Sequence, residues 1–382
     1  MQKIQSILSV NLLSGSTGSA KIASQINDAI SHSSAKMFSL VGYQKNLQQN
    51  TKSIYSYPPM GFRYYFWVAL NFFFDIFTPK NLSYEKLKKY EEYQKSDILH
   101  FHTIQGGYFD YRDLPKISKE KKIIWTLHDD WFCSGNDKDG SLFPYKPLRS
   151  FKKRNEILQQ SDIHVVAVSN WMYQKALSSN IFHKDHIHLI HNGIDTSIFY
   201  PRGKKESRKI LGIREDITMV VSIAGAGRKS RAKGVNYVEQ LAIELSSDSS
   251  IEFFTLGNAK TSIQGNIHQI GFISSDMMAL YFSAADIFLY PTRADSFGLV
   301  IAESIACGCP VITFEVGATS ELVQDGKTGY LVSAGDYEGL KKAFFDFKTS
   351  PLKVDLSSLG FDISSKRMVQ EYMNLYDSLV GQ

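Results

Sequence analysis

Short apolar runs of strand length alternate along this chain with segments of helical periodicity. Most runs are apolar at consecutive positions, which is typical of parallel sheets covered by helices on both faces. In the first half, strands are expected at Ile4–Leu13, Asp97–His102, Lys122–Leu127, Ile163–Ser169 and His186–His191. In the second half, they are expected at Thr218–Ala224, Ile251–Leu256, Asp286–Pro291, Val311–Phe314 and Tyr330–Val332. The pattern predicts an α/β protein built from two doubly wound parallel sheets.

The length of 382 residues, of which 43% are hydrophobic, favours two domains over one. The best boundary is the basic segment Gly203–Arg208, which follows Pro201 and the turn-rich stretch His191–Asp195. We therefore expect domains at 1–200 and 201–361. A final periodic segment, Asp362 to Leu379, predicts a C-terminal helix within residues 362–382.

Charge, cysteine content and hydropathy narrow the classes of function. A net charge of +5 is too small to argue for nucleic acid, although it fits an anionic ligand. The three cysteines are too few and too poorly spaced for a disulfide framework or a zinc site, and buried small residues are expected at Cys307 and Cys309. No signal peptide and no apolar run of spanning length is visible, so the expected location is cytoplasmic.

An aromatic segment, residues 62–77, admits two interpretations. It is either a helix packed on its own domain or an interfacial helix that contacts the inner face of a membrane or a lipid-linked acceptor.

Two stretches in the second half point to an anion site. The strand ending at Pro291 is followed by Asp295 and Gly298 and then by a helical run. Asp295 or Ser296 is expected to cap that helix, whose start would offer unpaired N–H groups to a phosphate. Glu303, eight residues after Asp295, would lie roughly 12 Å further along the axis. The two carboxylates could bind two separate polyol groups, or they are an N-cap and an unrelated Glu on the helix surface.

The other stretch, residues 225–234, follows the strand Thr218–Ala224 and is rich in glycine and basic residues. Glycines at the carboxyl end of a parallel strand let a ligand approach the backbone. Arg228 is suited to bidentate phosphate binding, and Lys233 adds a point charge.

Candidate residues in the first half follow apolar strands. Gly15 and Gly18 lie in a loop that lacks the dinucleotide fingerprint. It is either a plain tight turn or, as a resemblance to a known family implies, a phosphate and acceptor loop. His100, His102 and His128 end strands, where histidine is usually a hydrogen-bonded structural residue; for His128, Asp129 or Asp130 could fix the tautomer.

Taken together, these motifs resemble the glycosyltransferases of family 4, which have the GT-B fold. The resemblance covers nearly the whole chain. Its strongest part runs from Asp286 to Val311 and contains a carboxylate, seven intervening residues, Glu303 and a Gly-x-Pro turn. The other matching parts are Gly227-Arg228 with Lys233-Gly234, the linker 191–195 with Phe199 and Pro201, and Glu321 with 325–329.

The resemblance implies two facing Rossmann-like domains, with the C-terminal helix returning to the N-terminal one. It implies that Arg228 and Lys233 bind the donor diphosphate, that Glu303 binds the ribose, and that His128 meets the donor sugar. Asp295 and the N–H groups of Phe297, Gly298 and Leu299 would contact sugar and phosphates. The family usually has Glu where this chain has Asp295.

The implied reaction is a retaining transfer from a UDP- or GDP-sugar to a glycan or lipid-linked acceptor, in bacterial surface polysaccharide synthesis. No metal or other cofactor is expected, because cationic side chains and the helix start can stabilise the leaving diphosphate. We expect the leaving phosphate to accept the acceptor proton, and the domains to close about residues 192–208. The alternatives are a sugar-nucleotide epimerase, a phosphorylase and a non-catalytic partner of an active transferase.

Overall fold

The computed structural model describes residues 6–14, 17–31, 35–44, 51–55, 82–105, 108–133, 148–224, 231–257 and 261–380. Contacts divide the chain into two compact units. Unit 1 consists of Met1–Asn192 with Lys366–Gln382, and unit 2 of Gly193–Ser365.

Unit 1 contains a seven-stranded sheet in the order β3-β2-β1-β4-β5-β6-β7, in which every pair of neighbours is parallel. Its strands are β1 (Ser6–Ser14), β2 (Lys36–Gln44), β3 (Thr51–Tyr55), β4 (Ile98–Phe101), β5 (Lys122–Leu127), β6 (Ile163–Ala167) and β7 (Ile187–Leu189). Its helices are α1 (Gly18–Ser31), α2 (Tyr84–Leu87), α3 (Glu91–Lys95), α4 (Leu114–Ile117), α5 (Leu148–Gln159) and α6 (Asn170–Ser179).

Unit 2 contains a second seven-stranded sheet in the order β10-β11-β9-β8-β12-β13-β14. Its strands are β8 (Thr218–Ile223), β9 (Ile251–Leu256), β10 (Ser262–Gln264), β11 (Ile267–Gln269), β12 (Ile287–Tyr290), β13 (Val311–Phe314) and β14 (Gly329–Val332). Only the β10–β11 pair is antiparallel. The helices are α7 (Lys204–Leu211), α8 (Val235–Glu244), α9 (Ser275–Ala284), α10 (Leu299–Ala306), α11 (Thr319–Leu322), α12 (Tyr337–Thr349) and α13 (Ser365–Val380), of which α13 belongs to unit 1 from Lys366 onward.

The central strands have the continuous apolar sequence that parallel sheets require. β4, β12 and β13 are buried at every position, because helices cover both faces. The predicted α/β class with two doubly wound parallel sheets is therefore confirmed, and the bounds predicted for β5, β9 and β13 match the observed ones.

The basic segment 203–208, predicted as the domain boundary, instead contains the N-cap residue and the first turn of α7 in unit 2. Arg208 is buried there, and its guanidinium donates to the carbonyl of Ala284 at 3.0 Å and to Asp286 at 2.7 Å. The contacts divide the chain after Asn192, whereas the sequence predicted a boundary after residue 200.

The two points where the chain passes between units are tied together within unit 2. The N–H of Ile194 donates to the carbonyl of Ile363 at 2.9 Å, and that of Ser365 donates to the carbonyl of Ile194 at 2.7 Å. A Cβ on Gly193 would lie 2.5 Å from the carbonyl oxygen of Ser364, so only glycine fits this close approach.

Candidate active site

The sheet order of unit 2 reverses at its centre, between β8 and β12. β9 lies on one side of β8 and β13 lies on the other side of β12. In open α/β sheets, ligands bind beyond the carboxyl ends of the strands at such a switch point. Lys233 follows β8 and Asp295 follows β12, so both predicted residues lie at this edge.

A close backbone contact joins the two loops. Gly234 has φ +69°, and a Cβ there would lie 1.8 Å from the carbonyl oxygen of Pro291. The carbonyl of Ala232 accepts hydrogen bonds from the N–H of Arg293 at 2.8 Å and the hydroxyl of Thr292 at 3.1 Å. The Arg231–Lys233 turn is thereby held against the end of β12.

Lys233, Tyr290 and Asp295 form one hydrogen-bonded network. The Lys233 ammonium donates to the Tyr290 hydroxyl oxygen at 2.5 Å and lies 3.3 Å from Oδ2 of Asp295. The Tyr290 hydroxyl donates to the same Oδ2 at 3.1 Å. One carboxylate oxygen therefore receives a cation and a neutral donor together.

This network keeps Lys233 charged. Burial alone would lower its pKa, but Tyr290 and Asp295 outweigh burial and raise the pKa above its usual value. Burial, reinforced by the charge of Asp295, raises the pKa of Tyr290, so its hydroxyl keeps its proton. The result is a fixed cation beside a neutral phenol.

The start of α10 differs from the prediction. The cap residue is Gly298, with φ +90°, and not Asp295 or Ser296. Oδ1 of Asp295 still accepts the N–H of Gly298 at 2.8 Å and that of Phe297 at 3.4 Å, from outside the helix. The short Asp side chain reaches these N–H groups because they follow it by only two and three residues.

The backbone of Asp295 is also held. Its carbonyl accepts the N–H of Ala318 at 3.1 Å, and a Cβ on Gly317 would lie 2.0 Å from that carbonyl oxygen. The loop after β13 therefore positions the residue that the loop after β12 carries.

Of the other predicted donor-site residues, those in and beside α10 are described by the structure, and Arg228 is not. Glu303 lies on α10 and is 3% exposed; Phe297 is buried, and Leu299 is the first residue of the helix. Arg228 lies outside the described residues.

In unit 1, His128 follows β5 and contacts His102, which follows β4. Nε2 of His128 lies 3.1 Å from Nδ1 of His102, and the rings stack with centroids 5.4 Å apart. Burial lowers the pKa of His128 to about 3 and that of His102 well below its ordinary value. Both imidazoles are therefore neutral near pH 7.

The acidic residues after His128 have distinct partners. Burial raises the pKa of Asp129 to about 7, and its carboxylate accepts the side-chain amide of Gln105 and the N–H of Trp131. Asp130 is fully buried and pairs with Lys175 at 2.9 Å. The partner described for Nε2 of His128 is thus a histidine, where the sequence suggested Asp129 or Asp130.

His100 is a buried structural residue. Its Nε2 lies 2.8 Å from Oγ1 of Thr126, and its Nδ1 lies 2.7 Å from the hydroxyl of Tyr376 on α13. The hydroxyl of Tyr372 also contacts Oγ1 of Thr126 at 2.8 Å. This network joins α13 to β4 and β5 within unit 1.

The remaining predictions concern glycine, cysteine and the membrane. Gly18 is the first residue of α1, whereas Gly15 and the segment 62–77 lie outside the described residues. Cys307 and Cys309 are buried as predicted, and burial raises the pKa of each thiol to about 12. Among the helices that the structure describes, none is long and apolar enough to cross a membrane.

Sequence reasoning did not single out Tyr290 or assign a role to His102. Each ends or follows an apolar strand, which is the available signal, but the partners of both come from other loops.

Comparison with known proteins gives two matches along the chain. Residues 55–198 match the model described as "Glycosyltransferase Family 4", and residues 218–347 match "Glycosyl transferases group 1". The two ranges together take in well over half of the chain.

Individual relatives are more distant. The chain is 26% identical over 309 residues to N-acetyl-alpha-D-glucosaminyl L-malate synthase of Bacillus anthracis, covering 76% of this chain and 77% of that protein. It is 26% identical over 257 residues to an uncharacterised 41.2 kDa protein in the cps region of Klebsiella pneumoniae, covering 64% and 67%. Anabaena HepE, solved in complex with UDP, has a similar fold, with a TM-score of 0.69, 14% identity and coverage of 98% and 100%. The chain belongs to the glycosyltransferases of family 4, with a family 4 region followed by a group 1 region, and is a glycosyltransferase of the GT-B fold.

Proposed function

We propose that this glycosyltransferase moves a sugar, with retention of anomeric configuration, from a nucleoside-diphosphate sugar to a glycan or lipid-linked acceptor. The observation that carries the proposal is the Lys233–Tyr290–Asp295 network at the switch point of unit 2. It combines a fixed cation with a helix start at the position where α/β sheets bind nucleotides.

The leaving group is a diphosphate, which gains negative charge as the glycosidic bond breaks. An ammonium has three N–H donors. Two donors of Lys233 are used in hydrogen bonds to the Tyr290 hydroxyl and to the Asp295 carboxylate. In our proposal a phosphate oxygen accepts the third N–H of Lys233. The N–H groups of Phe297, Gly298 and Leu299 further stabilise the negative charge of the diphosphate. Arg228 would add a second cation from the preceding loop.

Asp295 has a second role in the proposal. Its carboxylate is held by the N–H of Gly298 and by the Lys233 ammonium. We propose that the pyrophosphate and the transferred sugar meet beside it. Asp295 would hold Lys233 for the phosphate and contact a sugar hydroxyl. Glu303, buried further along α10, would accept the ribose hydroxyls.

His128 would donate a hydrogen bond to the donor sugar, and His102 would set its tautomer. Nε2 of His102 is buried without a hydrogen-bond partner among the described residues. An unpaired N–H there would cost more than an unpaired lone pair, so Nε2 carries no proton and Nδ1 of His102 is the donor. Nε2 of His128 then accepts, which leaves the proton of His128 on Nδ1.

The proposed transfer follows a same-face route without a metal cofactor. The acceptor hydroxyl attacks the anomeric carbon as the bond to the diphosphate breaks, and the departing phosphate oxygen takes the hydroxyl proton. Charge on the leaving group would be stabilised by the cationic side chains and N–H groups, a role that Mg²⁺ has in other transferases.

The likeness to the cps-region protein supports a role in surface polysaccharide assembly, and the fold shared with a UDP complex supports a UDP-sugar as the first donor to test. A contact with the inner membrane surface belongs to the same proposal, because lipid-linked acceptors reside there.

The test is a screen of UDP-, GDP- and ADP-sugars by thermal shift, followed by transfer assays with the stabilising donor. NMR of the isolated product should show the anomeric configuration of the donor. An inverted product would refute retention. An altered sugar nucleotide formed without acceptor would indicate an epimerase instead.

A further inference from the structure

A group of histidines lies at the amino ends of two strands of the unit 1 sheet, opposite to the carboxyl ends that His102 and His128 follow. Asp162 and His164 come at the start of β6, and His186 and His188 come at the start of β7. Val165 is in register with Ile187, so His164 and His186 are neighbours across the two strands. These residues are at the amino ends of the strands, whereas His102 and His128 follow the carboxyl ends.

The side chains of this group converge. Nδ1 of His186 lies 3.2 Å from Oδ1 of Asp162. One potential ligand atom from each of Asp162, His164 and His186 lies within 4.8 Å of the other two. The rings of His164 and His186 stack with their centroids 4.0 Å apart.

Two histidines of the group, His164 and His188, are buried in a way that favours their neutral form. Burial, together with the proximity of His186 and His188, lowers the pKa of His164 to about 4. Burial and His186 lower the pKa of His188 as well. A neutral imidazole has a free lone pair on one ring nitrogen, which is the form that binds metal ions.

We propose that Asp162, His164 and His186 bind a divalent transition-metal ion, for which Zn²⁺ is the probe. Imidazole with carboxylate is a ligand set that suits zinc and its neighbours and does not suit Mg²⁺ or Ca²⁺. Zinc bonds of about 2.0–2.1 Å in tetrahedral geometry place ligand atoms about 3.3 Å apart. The Asp162–His186 pair is at this separation, and a side-chain rotation of His164 would bring the third ligand in.

His188 supplies the outer contact that metal-binding histidines usually have. Its Nε2 lies 3.0 Å from Nδ1 of His164, so it can fix the orientation and tautomer of that ring. Cys307 and Cys309 do not compete for zinc, because both are buried as protonated thiols in unit 2.

The bound ion would join the start of β6 to the edge strand β7. Since it binds the folded sheet and not the separated strands, it would stabilise unit 1 by mass action. Its position at the amino ends of β6 and β7 separates it from His128, which follows the carboxyl end of β5 in the same sheet. We therefore assign it a structural role.

The test uses full-length protein without a polyhistidine tag, treated with chelator and then titrated with Zn²⁺ by calorimetry. We expect one equivalent to bind and the melting temperature to rise with it. His186→Ala should abolish this binding, and His188→Phe, which alters only the outer contact, should weaken it about 10- to 100-fold. His268→Ala is the matched control, because His268 also pairs with a carboxylate, Glu252 at 2.9 Å, but lies in unit 2.

Binding that His186→Ala and Asp162→Ala both leave unchanged would overturn the site. An equal loss of zinc binding in His268→Ala would also overturn the site. So would the absence of zinc binding to the wild-type protein after chelator treatment. Each variant is first checked for a folded sheet by far-ultraviolet circular dichroism, and Co²⁺ provides a second probe whose visible spectrum reports tetrahedral nitrogen and oxygen ligands directly. The site and the sugar-transfer proposal fail independently, since the readout is metal binding and not activity.

Discussion

The hydroxyl of Tyr376 on the C-terminal helix lies 2.7 Å from Nδ1 of His100 on β4, and both residues are fully buried. Thr126 contacts the other ring nitrogen of His100, so the imidazole is paired on both sides. The last helix of the chain is thereby attached to the first sheet by a polar contact as well as by packing.

Removing this hydroxyl should destabilise unit 1. In Tyr376→Phe, Nδ1 of His100 loses its partner in a buried site, so we expect a loss of about 1–3 kcal/mol in the free energy of unfolding. Urea denaturation measures it. Tyr281→Phe is the control, because Tyr281 is buried in unit 2 and no hydrogen bond of its hydroxyl occurs within the described chain. Equal losses in the two variants would show that the His100 contact contributes nothing of its own.

Lys233→Ala should weaken nucleotide binding. A charge-assisted hydrogen bond contributes about 1.5–3 kcal/mol, so UDP affinity should fall about 10- to 100-fold. Calorimetry with the nucleotide that stabilises the protein measures this change. Lys341→Ala is matched to it, since Lys341 pairs with Glu244 at 2.6 Å and is similarly exposed, at 34% against 33%. Unchanged affinity in Lys233→Ala would remove the phosphate assignment.

The fold was more predictable from the sequence than the site. β5 and β9 are apolar runs within helical surroundings, so their bounds followed from hydrophobicity alone. β2 and β3 were missed, because Ser39 and Gly42 interrupt one and the exposed Lys52 and Ser53 interrupt the other.

Lys233 and Asp295 were found from residue type and from position after a strand, and the structure brings them together. Tyr290 was not found, because its role depends on how closely Gly234 approaches Pro291, and no periodicity encodes that approach. The residue predicted to cap α10 was wrong for a similar reason. Asp295 accepts the N–H of Gly298 from outside the helix, and Gly298 itself is the cap residue, in the left-handed conformation.

Glu303→Gln should reduce discrimination between ribose and deoxyribose nucleotides. A buried carboxylate that accepts two ribose hydroxyls favours the ribonucleotide, whereas a neutral amide accepts these hydrogen bonds less strongly. UDP and 2′-deoxy-UDP are compared by calorimetry in wild type and variant. The ratio of their dissociation constants should shrink about tenfold in the variant. A ratio that stays the same would mean that Glu303 does not contact the ribose.

Neutral His128 should carry its proton on Nδ1 throughout pH 5–9. Its pKa is lowered to about 3, so falling pH protonates it only well below this range. Nδ1 of His102, 3.1 Å from Nε2 of His128, is the donor in the proposed arrangement. Nitrogen-15 NMR of labelled histidine reports both properties. His102→Phe removes the donor and should mix the tautomers and lower kcat, while His102→Asn, which retains an N–H donor, should restore part of both. An Nε2–H tautomer in the wild type would contradict the assignment.

Chelation should separate stability from catalysis. If leaving-group charge is stabilised by Lys233 and N–H groups, EDTA leaves kcat unchanged at a temperature where the protein stays folded. If Asp162, His164 and His186 hold an ion, EDTA lowers the melting temperature of the zinc-loaded protein, because an ion that binds only the folded state stabilises it. His186→Ala should lose the second effect and retain the activity.

An EDTA-sensitive kcat that persists in His186→Ala and is restored by Mn²⁺ would place a metal ion in the transfer reaction itself and refute the metal-free route. A kcat that becomes insensitive to EDTA only in His186→Ala would instead link the histidine group to the active site, against the structural role proposed for it.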